Sequence, residues 1–321
     1  MKRVMQWLLR RDGSGSGAGS GRVAGGPVGA MPSRDSPAGT AAADLAATAP
    51  AGAPPPELQY MAWLTGDAPV PGALTAAEQG LLSYLDAVSV NEEARSELVP
   101  RARAIIPQLM HSLRDESQTA QALTARVARD PNLVVEVLRL ANNVGYGTGT
   151  PVADLTQAIG RLGTDGLRRA IARILLKPIF DAQADPLLAR SAERLWQHAE
   201  STAALCMQMA AIARVDAFDA FLAGLMYNVG WTAALRALGR APGGPPAAMS
   251  TTFVSSLALR RELLFAHLVR SWSVSDSLSA LGDEILSGHA AGARLPLGTL
   301  LRSADRAAFL QLLRTPAPSR T

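Results

Sequence analysis

Residues 194–206 read RLWQHAESTAALC. Cys206 stands at helical spacing from Ala199, Thr202, Met209 and Ala210, and His198 lies one turn from Arg194, Leu195 and Thr202 at the edge of the same apolar face. Recurrence at three and four residues marks an amphipathic α-helix; a strand would alternate with period two. The stripe predicts one long helix over about 187–213.

The same periodicity governs nearly everything from Glu57 onward. Toward the N-terminus, Thr75-Ala-Ala-Glu78 forms a capping box ahead of Leu81, Leu82, Leu85 and Val88. Pro100 and Pro107 punctuate a segment carrying Ile105, Ile106, Leu109, Met110 and Leu113, and Ser117 or Thr119 opens a helix facing inward with Leu123, Val127 and Ala128. Asp130 is placed as an N-cap and Pro131 as the first helical residue of a segment with Leu133, Val134, Val137, Leu138 and Ala141 inward, ending at Asn142, Asn143 and Gly145. Asp154 opens a helix that stops at Gly163, and the next runs from about Thr164 to Lys177, where Pro178 limits it. Toward the C-terminus, helices are predicted over about 217–238, 250–271, 275–287 and 296–313, with a loop at 242–246. Strand signals are few, so the expected fold is all-α, helix packed on helix.

Composition sets the domain limits. Residues 1–56 are dominated by Ala, Gly, Pro, Ser and Thr. They carry too few large apolar groups to offset ordering entropy, which predicts a disordered tail. A helical N-terminal extension is expected over 57–95, a main helical domain over 96–313 and a flexible tail over 314–321. The first eleven residues, MKRVMQWLLRR, could touch a membrane surface weakly, but the apolar run is too short for a signal peptide. No stretch reaches the ~20 apolar residues needed to span a bilayer.

The chain of 321 residues has a formal net charge of +4. Residues 1–56 hold six basic and three acidic groups and the last eight residues hold two arginines, leaving 57–313 with 23 basic and 24 acidic groups. A body near neutrality has no broad basic footprint, which argues against nucleic acid as a partner. Arg168, Arg169 and Arg173 cluster on one predicted helix, a face expected to be solvated beside acidic neighbours. A single cysteine excludes an intramolecular disulfide and a multi-cysteine zinc site, and a reduced cytoplasm fits best.

Chemistry-bearing motifs are sparse. No GxxxxGK[ST] or strand-linked GxGxxG is present. Cys206 reads as a small buried side chain. Among His111, His198, His267 and His289, only His198 has context, on the edge of an apolar helical face.

Five segments, in order, carry a family resemblance: Asp130-Pro131, LRLANN at 138–143, Ala158-Ile159 with Leu162-Gly163, LWQHA at 195–199, and AGLMYNVG at 223–230. Together they resemble the HDOD domain, the HD-related output domain of bacterial signalling proteins. The resemblance spans about residues 96–290, and 57–95 is similar to extensions in a subgroup. It marks Asp130, Pro131, Asn142, Asn143, Gly163, Trp196, Gly224 and Gly230 as structural positions, with Trp196 as a core anchor.

The resemblance also implies where a metal would sit in related HD phosphohydrolases. His198 aligns with a first histidine ligand, and the His-Asp pair would fall at Tyr227-Asn228. A phenol and a neutral amide there remove an imidazole and a negative charge, weakening any divalent site. His198, Tyr227 and Asn228 are therefore expected to form a vestigial pocket, and no catalytic, cofactor or metal role is assigned. The expected function is a non-catalytic signalling or regulatory module that binds a protein partner or small ligand. Two alternatives are a metal-dependent phosphohydrolase on a nucleotide or cyclic dinucleotide, using His198 with Asn228 and Asp216 or Asp219, and a nucleic-acid-binding helical regulator.

Overall fold

The computed structural model describes residues 54–99, 102, 106, 124–125, 127–128, 131–142, 150–181, 185–288 and 295–314. The expected tail, the segment 1–11, Asp130, Asn143, Gly145, His111 and His289 lie outside these residues. The described chain is helical: α1 (Pro56–Thr65), α2 (Ala76–Val90), α3 (Glu92–Leu98), α4 (Pro131–Ala141), α5 (Leu155–Phe180), α6 (Pro186–Ala213), α7 (Ala217–Tyr227), α8 (Val229–Arg240), α9 (Thr251–Trp272), α10 (Asp276–Leu286) and α11 (Pro296–Arg314). Extended pairing among the described residues is confined to one isolated bridge, Val70 with Ser250.

The long helix predicted around Trp196 is α6, and it organises the core. It packs against α7, α11, α8 and α1, while α9 packs against α10, α8 and α2. Leu195, Trp196, Ala199, Ala203 and Cys206 are all buried on α6. Burial pushes the Cys206 thiol well above its ordinary pKa, so it is a packing residue rather than a nucleophile. The Trp196 ring meets Phe180 edge-on at 5.4 Å between centroids.

Caps hold the helix ends where the sequence places them. Asp154 caps α5 through Gln157 N, and Thr75 and Glu78 form the reciprocal capping box on α2. Glu78 does more than cap. Its carboxylate accepts from Thr75 N at 2.8 Å, Ser250 N at 2.7 Å and Ser250 Oγ at 3.0 Å, tying α2 to the start of α9. Burial alone would raise the Glu78 pKa, but these bonds outweigh it and hold it below the ordinary glutamate value. The charged form therefore stabilises the fold fully above the unfolded value of about 4.3, and that contribution fades as the pH falls through the lower folded value. The Tm difference between wild type and Glu78→Gln should shrink on acidification below about pH 4. A difference that stays constant from neutral to acid pH would count against this role.

Gly163, with φ 65°, ψ −177°, breaks the helical path between the two halves of α5 as expected. Two boundaries differ from the periodicity. Pro178 does not stop α5, which continues to Phe180. Near the end of a helix a proline interrupts few hydrogen bonds, and here the backbone oxygens of Ile179 and Asp181 are taken by Arg236 Nη2 at 3.0 and 3.1 Å.

The second difference bears on function. The single helix predicted over 217–238 is two, α7 and α8, meeting at Asn228. Asn228 turns its side chain onto α6, a long-range tie to Leu195 O that holds the corner. Gly224 and Gly230 flank this corner. A Cβ on Gly224 would lie 2.6 Å from Ala203 Cα, and one on Gly230 would lie 2.4 Å from the Arg261 carbonyl oxygen. Both glycines thus mark close backbone approaches, of α7 to α6 and of α8 to α9.

Candidate functional site

The α7–α8 corner delivers Asn228 against His198, and both are 1% exposed. Asn228 Nδ2 donates to Leu195 O at 3.1 Å and lies 2.9 Å from His198 Nδ1. The contact with Leu195 O fixes the amide orientation, because a flipped amide would set oxygen against oxygen. His198 Nδ1 therefore accepts. On the other side of the ring, His198 Nε2 lies 3.0 Å from the backbone oxygen of Asp305 on α11, so Nε2 carries the proton. The bonding pattern assigns the Nε2–H tautomer.

Tyr60 of α1 closes the same pocket. Its hydroxyl is 3.2 Å from His198 Nδ1 and 3.5 Å from Asn228 Oδ1. Its ring lies 5.5 Å from Trp231, 5.2 Å from Phe309 and 5.6 Å from Trp63 between centroids. Arg194 Nη1 holds α1 in place by donating to Trp63 O at 2.6 Å and Leu64 O at 3.2 Å. Burial, then the field of Asp305, raise the Tyr60 pKa well above the usual phenol value, so it remains an O–H donor.

Tyr227 is buried beside this cluster but bonds elsewhere. Its hydroxyl donates to Glu262 Oε1 at 2.6 Å, and burial keeps its pKa well above the usual phenol value. The Arg261 guanidinium lies over the Tyr227 ring, with Cζ 4.0 Å from the centroid. The structure thus brings His198 and Asn228 into contact, turns Tyr227 to Glu262 and Arg261 instead, and adds Tyr60, Arg261, Glu262 and Asp305, which sequence reading did not single out. Arg261 carries a visible signal in retrospect: it follows Leu257 by four residues and precedes Leu264 by three, a charge inside an apolar stripe.

Other candidates fall outside. Asp216 caps α7 by accepting from Asp219 N at 2.7 Å. Both acids stand at the start of α7, and a helical rise puts Asp219 roughly 13 Å along the chain axis from Asn228. His267 is half-buried, and burial followed by Arg95 and Arg270 lowers its pKa. Arg173 pairs with Glu136 at 3.3 Å and with Glu200, and Arg168 lies 3.8 Å from Asp165, so the arginine cluster has acidic neighbours.

Residues 99–280 match the HDOD domain family, more than half of the chain. The chain belongs to the HDOD family. A Shewanella amazonensis protein described as a candidate metal-dependent phosphohydrolase shares the fold at a TM-score of 0.51 and 13% identity, covering 76% of this HDOD chain and 86% of that one. An HDOD domain protein of unknown function from Geobacter sulfurreducens aligns at 0.49 and 18% identity, over 76% and 82% of the two chains. A Treponema pallidum protein of uncharacterised function is 20% identical over 138 residues, 42% of this chain. This HDOD chain spans about a quarter (26%) of that relative's length.

A divalent ion at the HD position does not fit the donor set of this HDOD domain. Its imidazole ligand must offer a free lone pair. His198 Nδ1 is bonded to Asn228 and Tyr60, and Nε2–H donates to Asp305 O. Tyr227 is a protonated phenol bound to Glu262, and Asn228 is uncharged. Among the described residues, no three His, Cys, Asp or Glu side chains converge on a point that suits a metal ion.

Asn228 bridges two buried acceptors, so replacing it by a near-isosteric apolar residue should be costly. Asn228→Leu is expected to lower stability by about 1–3 kcal/mol in urea denaturation, the cost of leaving buried partners unsatisfied. An unchanged midpoint would show that the amide is not holding the corner.

Proposed function

We propose that this HDOD chain is a non-catalytic regulatory module that acts by binding a signalling protein or a small ligand. The observation that carries this reading is the internal use of His198: both ring nitrogens are spent on Asn228, Tyr60 and the Asp305 carbonyl. A hydrolytic HD centre needs that ring as a ligand, and here it serves as a structural strut between α6, α11, α1 and the α7–α8 corner. The proposed compartment is the cytoplasm, in keeping with the lone cysteine; no helix among the described residues is long and apolar enough to cross a membrane.

Crosslinking with affinity capture from the native host, using the full chain, tests the binding role. A partner should be retained by wild type and lost on disruption of the helical surface that it contacts. Recovery of no specific partner or ligand across growth conditions would count against the reading. Phosphate release from nucleotide and cyclic dinucleotide substrates tests the enzymatic alternative.

A further inference from the structure

Arg261 is a charged side chain in the core with few ordinary partners. The residue is 8% exposed, and its Nε and Nη1 are buried without a hydrogen-bond acceptor among the described residues. Its Nη2 lies 3.9 Å from Glu262 Oε1 and 4.0 Å from Asp305 Oδ2, too far for hydrogen bonds. A buried guanidinium with unmatched donors calls for an explanation. The rings provide one. Cζ stands 4.0 Å from the Tyr227 centroid and 5.5 Å from Trp231, within cation–π range of both. The Tyr227 ring is itself braced edge-on by Phe265 at 5.1 Å.

The neighbouring carboxylates complete the arrangement. Asp305 is shared: one oxygen is 3.7 Å from His198 Nε2 and the other faces Arg261. Glu262 is shared between Arg261 and the Tyr227 hydroxyl. Burial opposes the charge on Arg261, yet Tyr227, Asp305 and Glu262 outweigh it and hold its pKa above the ordinary arginine value.

We infer that the Arg261 guanidinium is the resident cation of the buried His198 cluster, filling a seat formed by Asp305, Glu262 and the rings of Tyr227 and Trp231 and so keeping external cations out. The inference deepens the non-catalytic reading of this site and rests on it. It gives Tyr227 a positive role: the phenol ring at the HD position is the platform on which the arginine lies. The ligand class that the seat selects is a planar organic cation, which Arg261 supplies from within the chain.

The test uses the full chain and four variants. Arg261→Ala opens the seat, Arg261→Met fills it without charge, Arg261→Lys keeps a charge, and Arg261→Ala with Asp305→Asn removes an anionic wall. Methylguanidinium chloride is the probe, against sodium chloride at equal ionic strength. The Tm of Arg261→Ala should rise by about 2–4 °C when the probe is ten-fold above its Kd. Wild type, Arg261→Met and the double variant should not respond. Arg261→Lys should be more stable than Arg261→Met, a comparison that stands even if Arg261→Ala fails to fold. A folded Arg261→Ala indifferent to methylguanidinium, or Arg261→Lys no more stable than Arg261→Met, overturns the inference. Either failure leaves the regulatory reading standing, whereas His198-dependent turnover by wild type would remove that reading alone.

Discussion

Trp196→Ala is expected to destabilise the fold by about 3–5 kcal/mol, the cost of emptying a large aromatic site in a packed core. The side chain is 5% exposed and faces α5, where Phe180 packs against it edge-on. Its neighbours on α6, Leu195 and Ala199, are fully buried, so the helix cannot rotate to fill the gap without exposing them. Lys177 Nζ, 6.0 Å from the ring centroid, adds a cation at the outer side. Chemical denaturation should show a lower midpoint with an unchanged slope. A loss of only a few tenths would mean that Trp196 is not the anchor between α5 and α6.

Gly224→Ala is the second large expected effect, in the opposite sense of packing. The added methyl would meet Ala203 Cα at 2.6 Å, Ala203 N at 2.7 Å and Thr202 C at 2.9 Å. These are backbone atoms of α6, so no side chain can turn aside. Either α7 lifts from α6 or the helix bends, and overpacking of this kind costs about 1–3 kcal/mol or more. Lifting α7 would also draw Asn228 away from His198. The variant should therefore lose stability and also alter the His198 environment, visible as a shifted imidazole resonance in NMR. A variant with wild-type stability and an unmoved resonance would show that the helices do not approach as closely as described.

Much of the fold was legible because its signals are local. The capping box at Thr75–Glu78, the Asp154 cap, the break at Gly163 and the stripe on α6 depend on residues within a turn or two of each other. The break at Asn228 was not legible, because its cause is a bond to Leu195, 33 residues away. The pocket was half legible. His198, Tyr227 and Asn228 stood out through the family pattern, but Tyr60 reaches His198 across 138 residues and Asp305 across 107. Periodicity says which face of a helix is buried. It does not say which other helix covers that face, and the identity of the covering residues is what turned a vacant-looking ligand set into a closed network.

The proposed non-catalytic role rests on His198 acting as a structural strut. The most direct measurement is phosphate release by the wild-type 321-residue chain and His198→Ala from nucleotide and cyclic dinucleotide substrates, with Mn²⁺, Mg²⁺ or Zn²⁺ added. No turnover above background is expected for either protein with any metal, together with a lower Tm for His198→Ala. Metal-dependent hydrolysis by wild type that disappears in His198→Ala would contradict the proposed role.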